Sequence, residues 1–169
     1  MSAKIIQGWA CLYGEKYKHW YWKNERFEVF EKGCFAGSLW GTWLARDHNY
    51  TERRIAEQDK GSLEILDTDV GLAFRAKLNP GDLEWIDGRQ EVSVSYVSRD
   101  TEVRNGVHVI KSAAILELSL CHVATLRETH AIVCDADTVG TLAEDSASRF
   151  ANDGAFTKVM AALRKLEHQ

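Results

Sequence analysis

The chain has little proline and no surplus of positive charge, and both shortages limit the classes of protein to which it can belong. It has one Pro and six Trp among 169 residues, a composition typical of a single packed domain rather than of a disordered segment. Its 21 Lys and Arg are outnumbered by 25 Asp and Glu, with both signs spread along the chain. This balance gives no basic patch for nucleic acid or for an anionic membrane surface. No apolar run approaches the roughly 18–20 residues of a membrane-spanning helix, so we expect neither nucleic acid nor a membrane as a partner.

The common cofactor and metal motifs are missing as well. The sequence has no glycine-rich phosphate loop, no HExxH and no GxSxG pattern. Its four cysteines include no CxxC pair, and they are Cys11, Cys34, Cys121 and Cys134. Cys121 and His122 could supply a pair of metal ligands, but no second pair completes a tetrahedral site. No secretory signal is evident ahead of the cysteines, so we expect reduced thiols, no metal and no cofactor.

Alternating apolar and polar residues predict a mainly β domain over residues 1–140. Strands are expected at 5–13, 43–47, 62–66, 71–76, 92–97, 103–113, 115–123 and 131–134. The pair Asn105-Gly106 tolerates the positive φ angles of a tight hairpin turn. A turn leading into a short helix is expected over 33–39. Many short strands with few, late helices favour an α+β class, with a β-barrel or curled sheet and helices packed outside it.

The C-terminal part, residues 141–169, changes character. Its Ala-, Ser- and Asp-rich stretch 143–154 is typical of a flexible connection. Apolar residues then recur at helical spacing, namely Phe156, Val159, Met160, Leu163 and Leu166. This spacing predicts an amphipathic helix. The helix could cap the domain or form a homodimer contact, or the whole segment could be a tail that is trimmed, and the sequence leaves these alternatives open.

Four polar side chains within the β pattern could carry acid–base and nucleophilic chemistry. His48 follows a predicted strand, and histidine is the side chain whose ordinary pKa, about 6.5, suits proton transfer near neutral pH. In a later strand, alternation places Ser93 and Ser95 on one face. A serine becomes a useful nucleophile beside a base, and the base needs a third group to orient it. Glu117, the one carboxylate in its predicted strand, is a candidate for that third role.

Each of these positions also has an ordinary interpretation. Taken alone, His48 is typical of a surface histidine, the two serines of a wet strand face, and Glu117 of a solvated carboxylate on the outer face. His108 and His122 compete with Glu117 for the orienting role, because some serine proteases use a second histidine there. The aromatic stretch 20–22 could stack on a ligand, or it could pack as a partly exposed edge.

Seven short blocks between residues 5 and 134 stand in an order that resembles one known family. They are 8–14 (GWACLYG), 30–39 (FEKGCFAGSL), 44–49 (LARDHN), 54–56 with 69–72 (RIA and DVGL), 92–96 (VSVSY), 116–120 (LELSL) and 131–133 (AIV). The caudoviral prohead proteases of tailed phages have, in the same order, G-x-A-x-x-F/Y-G, a P-G-A-F block, a histidine block, I-G and D-x-x-G-L steps, G-L-S-I-G-F, L-x-E-V-S-L and a closing strand. The chain is similar to that family over most of its length.

The resemblance implies the fold of the herpesvirus assemblins, a β-barrel with flanking helices. It also implies a serine endopeptidase that cleaves scaffold protein, and often an extension of the major capsid protein, inside the assembling head in the host cytoplasm. Residue by residue, it implies His48 as the base, Ser93 as the nucleophile and Glu117 as the orienting acid. The glycines beside the family's serine are replaced here by Glu91 and Ser95, which leaves Ser95 as an alternative nucleophile. The alternative function is a non-enzymatic capsid- or scaffold-binding domain that retains the fold.

Overall fold

Ten strands and one α-helix make up the described part of the computed structural model, which comprises residues 2–19, 26–49, 51, 54–86, 89–121 and 129–152. The strands are β1 (Lys4–Leu12), β2 (Lys16–His19), β3 (Arg26–Phe30), β4 (Trp43–Arg46), β5 (Ala56–Glu57), β6 (Leu63–Asp67), β7 (Gly71–Lys77), β8 (Arg89–Arg104), β9 (Val107–Cys121) and β10 (His130–Asp135). The helix is α1 (Leu142–Asn152), and 3-10 helices lie at Pro80–Asp82 and Ala136–Thr138. The domain is therefore mainly β, as the sequence predicts. No helix within these ranges is long and apolar enough to cross a membrane.

The strands form one open, mixed sheet. Its order is β2-β3-β9-β8-β10-β1-β7-β6, and β4, which also pairs with β5, lies beside β9. Both β3 and β4 run parallel to β9, whereas the other neighbours are antiparallel. Among the described residues the end strands β2 and β6 each have a single neighbour, so the sheet does not close, and the expectation of a closed barrel is wrong. Lys16 and Lys18 stand on β2, and charged side chains are a common means of keeping an edge strand unpaired.

The two longest strands, β8 and β9, form a single hairpin. Its turn is at Asn105 and Gly106, with φ of 52° and 76°, which confirms the predicted tight turn. The sequence divided this region into three strands, but the structure contains two. The first predicted break, at 98–102, contains register shifts after Ser98 and Asp100, where β-bulges interrupt the ladder without ending it. At the second, Ala114 pairs with Val97 in regular register.

The core lies against one face of this hairpin and is rich in aromatic residues. The ring centroid of Phe30 lies 5.2 Å from that of Phe35 and 5.0 Å from that of Tyr96. Phe35 belongs to the segment 33–39, where the short helix was expected. That expectation is wrong, because Gly33 and Gly37 have φ of 74° and 73°, and left-handed residues break a right-handed helix into successive tight turns.

Helix α1 occupies most of the stretch 143–154, so the expected flexible connection is wrong there. The buried carboxylate of Asp145 accepts hydrogen bonds from Gln7 Nε2 and Arg75 Nη2, each at 2.9 Å. Arg75 Nε also donates to Gln7 Oε1 at 2.8 Å. These bonds fix the helix to β1 and β7. The helix predicted from Phe156 to Leu166 lies outside the described residues.

This polar contact predicts a stability effect. Asp145→Ala leaves the Arg75 guanidinium and the Gln7 amide without their buried acceptor, so we expect the free energy of unfolding to fall by roughly 3 kcal/mol. Urea denaturation followed by tryptophan fluorescence measures the change. Asp137→Ala removes an exposed carboxylate eight residues earlier in the chain and should change stability by less than about 0.5 kcal/mol. Equal losses in the two variants would contradict this account of how α1 is fixed.

Candidate active site

The register of β8 against β9 brings four polar side chains to one face of the sheet. Ser93 pairs with Ser119, and Ser95 pairs with Glu117. Directly paired residues of an antiparallel ladder project to the same side, so the serines and the carboxylate are neighbours. Glu117 and Ser119 have no exposed surface. The solvated position that the sequence left open for Glu117 is therefore wrong.

His48 reaches this face from the turn that follows β4. Because β4 runs along β9, with Arg46 beside Leu120, the chain leaves β4 directly next to the polar face. Asp47 N donates to Leu120 O at 2.9 Å, and His48 N donates to Ser119 Oγ at 3.0 Å. Asp47 and His48 have φ of 46° and 55°, a left-handed conformation that costs about 1 kcal/mol or more at each non-glycine residue. Strain of this kind persists where surrounding contacts impose it, and here it turns the imidazole towards Glu117.

The acid–base contact is a hydrogen bond between His48 Nδ1 and Glu117 Oε1. The second oxygen, Oε2, accepts a hydrogen bond from Ser119 Oγ at 2.7 Å. The Glu117 side chain is fully buried, whereas that of His48 is 30% exposed. A buried carboxylate without partners is very costly, so these contacts compensate its burial and hold the imidazole in place. The pair thus connects a buried carboxylate to an imidazole that solvent can reach.

The two serines relate to His48 differently. Ser95 Oγ lies 3.2 Å from His48 Nδ1, the nitrogen that Glu117 also contacts. If Nδ1 carries the proton that it shares with Glu117, Ser95 Oγ can only be a second acceptor of that N–H. Ser93 is placed in the site by its register opposite Ser119, but the residue is only 5% exposed, and its side chain makes no hydrogen bond to any described residue. Nor does His48 Nε2 meet a partner in the described ranges.

The competing histidines do not take the place of Glu117. His108 lies nine residues before Glu117 on β9, where it pairs with Val103. Nine residues of strand span on the order of 30 Å. It is therefore too distant to orient His48. His122 and the aromatic stretch 20–22 lie outside the described residues, so their predicted roles stay predictions.

Ser119 is the residue that sequence reasoning missed. Strand alternation already places it on the same face as Glu117, two residues further along β9. Its function as acceptor for His48 N–H and donor to Glu117 depends on the turn after β4, which the pattern of β9 does not reveal. Within the described ranges no group of three or more His, Cys, Asp or Glu residues could hold a metal ion.

The cysteine next to the site is inert at neutral pH. Burial, with the nearby carboxylates of Asp47 and Glu117, raises the pKa of the Cys121 thiol to about 12. Burial likewise raises the pKa of Cys34 to about 12 and that of Cys11 well above its ordinary value. Because the thiolate is the nucleophile, Cys121 does not compete with the serine hydroxyls.

These raised pKa values predict selective thiol labelling. At pH 8 the thiols of Cys11, Cys34 and Cys121 remain protonated and buried, whereas the side chain of Cys134 is partly exposed. We expect iodoacetamide to modify Cys134 alone in the native protein and all four cysteines after denaturation. Mass mapping of the modified peptides measures this. Fast native labelling at Cys121 would show that the site is less well packed than described.

No family model matches the chain, and no curated protein matches it.

Proposed function

We propose that this chain is a serine endopeptidase in which His48 is the general base and Glu117 orients it. The observation that carries the proposal is the contact of a fully buried carboxylate with Nδ1 of a partly exposed histidine, beside two serine hydroxyls. A structural ion pair has no need of an accessible histidine, whereas a base that acts on substrate does. Ser93 is the proposed nucleophile, and Ser95 is the alternative.

The contact with Glu117 determines which nitrogen acts as the base. With Nδ1–H donated to Glu117 Oε1, the lone pair of the neutral imidazole is on Nε2. The Ser93 hydroxyl gives its proton to Nε2 while Oγ attacks the carbonyl carbon of the scissile peptide. Nε2–H then protonates the leaving amine as the C–N bond breaks. In the second half of the reaction, a water molecule gives a proton to Nε2 while its oxygen attacks the acyl carbon. Nε2–H then protonates Ser93 Oγ as the ester bond breaks.

The choice between the serines depends on which imidazole nitrogen each hydroxyl can reach. Ser95 is the hydroxyl in contact with the imidazole, but that contact is at the nitrogen occupied by Glu117. Ser93 has no such conflict, but its side chain must move or His48 must rotate before Oγ meets Nε2. We therefore keep Ser93 as the nucleophile and assign Ser95 the role of a second acceptor for Nδ1–H.

The resemblance to the prohead proteases supports the choice of substrate. Scaffold protein, with an extension of the major capsid protein, is the proposed substrate, and the assembling head in the host cytoplasm is the proposed location. An assemblin-like order of strands in the open sheet, without closure into a barrel, belongs to the same proposal. The helical spacing of the apolar residues between Phe156 and Leu166 supports a homodimer contact through the C-terminal segment, with a cap on the domain or a trimmed tail as the alternatives.

A second candidate function is favoured by one observation. Glu117 and Ser95 both meet His48 Nδ1, and the described residues place no partner at Nε2. This arrangement also suits a domain that has kept the polar cluster for stability and binds capsid or scaffold protein without cleaving it. Such a domain should bind its partner equally well with and without the Ser93 hydroxyl.

A fluorophosphonate probe separates these functions. Wild type, Ser93→Ala, Ser95→Ala and His48→Ala are treated at high protein concentration, and the adducts are located by peptide mapping. We expect one adduct, on Ser93, that is absent in the Ser93 and His48 variants because both the nucleophile and its base are required. Ser98→Ala, an exposed serine on the same strand, is the matched control and should label like wild type.

The other outcomes are equally informative. An adduct on Ser95 would keep the peptidase and reassign the nucleophile. Labelling that persists in His48→Ala would contradict the role of His48 as base. If wild type gives no adduct alone or after addition of scaffold protein, while it binds scaffold protein, the binding domain becomes the better account.

A further inference from the structure

We propose that Ser119 is a positioning residue that fixes the base of this site to its acid. The catalytic consequence of this inference rests on the proposed function, but the geometry that supports it does not. Ser119 Oγ accepts the His48 backbone N–H at 3.0 Å and donates to Glu117 Oε2 at 2.7 Å. One buried hydroxyl therefore contacts the main chain of the base and the side chain of the acid.

The first contact holds the turn that carries His48. Asp47 N and Asn49 N, on either side, donate to the main-chain oxygens of Leu120 and Arg46 at 2.9 and 2.8 Å. The amide of His48 lies between them and has a side-chain acceptor instead. Because His48 itself has a positive φ, the contact with Ser119 Oγ stabilises a conformation that its backbone would otherwise avoid.

The second contact sets the orientation of the carboxylate. A carboxylate has two oxygens, and a hydrogen bond to one of them limits rotation of the group. With Oε2 held by Ser119, Oε1 is directed at His48 Nδ1. Without the hydroxyl, the buried Oε2 has lost its hydrogen-bond donor. Leaving a buried acceptor unsatisfied is costly, so rotation of the carboxylate away from the imidazole becomes more favourable.

Ser119→Ala tests both contacts, because it removes the acceptor and the donor together. Ser119→Thr keeps the hydroxyl and is the rescue variant. Ser112→Ala makes the same chemical change on the same strand, away from the site, and is the matched control. All variants are first compared with wild type by thermal unfolding, so that loss of the fold is recognised.

The first readout is independent of any enzymatic activity. Amide hydrogen exchange by NMR should become at least about 10-fold faster at His48 in Ser119→Ala, because its hydrogen bond is lost. The amide of Asp47, bonded to Leu120 O, should stay protected as an internal reference. The proton resonance of His48 Nδ1–H should move upfield as its bond to Glu117 weakens. Ser119→Thr should restore both signals.

The second readout is the rate of fluorophosphonate labelling. We expect Ser119→Ala to label about 10- to 100-fold more slowly than wild type, the effect of losing a hydrogen bond to a charged group, and Ser119→Thr to recover most of the rate. Ser112→Ala should label like wild type.

The two readouts separate failure of this inference from failure of the proposed function. Unchanged exchange at His48, or unchanged labelling beside faster exchange, would overturn Ser119 as a positioning residue. If wild type does not label at all, the peptidase is contradicted, and the NMR signals still decide whether Ser119 fixes His48 to Glu117.

Discussion

The fully buried carboxylate of Glu117 is the constraint on which this site depends. Its charge is removed from water, so the fold must supply partners for both oxygens, and it does so with His48 Nδ1 and Ser119 Oγ. The neighbouring Leu118 and Leu120 are fully buried and apolar, so they offer no such partner, and the carboxylate lies on the opposite face of the strand. The position of the His48 imidazole is thus tied to the burial of the Glu117 carboxylate.

Two features of the main chain position these partners beside the Glu117 carboxylate. The pairing of β8 with β9 places serines opposite Glu117 and Ser119, and a shift of β8 by one residue would turn Ser93 and Ser95 to the opposite face of the sheet, away from Glu117. The parallel pairing of β4 with β9 then ends at Arg46, and two left-handed residues direct His48 back over the sheet. The site therefore combines regular strand pairing with a strained turn at Asp47 and His48.

Much of the strand content could be predicted, because period-two alternation and turn residues such as Asn105-Gly106 are local signals. The same alternation placed Ser93 and Ser95 on one face. The start of α1 also has a local sequence signal, because Thr141 and Glu144 have the spacing of a capping box and exchange its two hydrogen bonds in the structure. The Ala-, Ser- and Asp-rich composition of 143–154 favoured a flexible connection instead. Other features depend on contacts between segments that are distant in sequence, so the alternation along one strand does not predict them. These features are the burial of both faces of β9, the bulges of the hairpin, the open sheet and the contacts of Ser119.

The central claim is that His48 and Glu117 are energetically coupled, and a double-mutant cycle tests it most directly. The free energy of unfolding is measured for wild type, His48→Leu, Glu117→Met and the double variant, with apolar replacements that form no new hydrogen bond. The account predicts that the double variant loses less stability than the sum of the single losses, by roughly 1–3 kcal/mol, because each single change leaves the other group without its partner. Losses that add within about 0.5 kcal/mol would mean that the two residues do not interact, and would contradict the account.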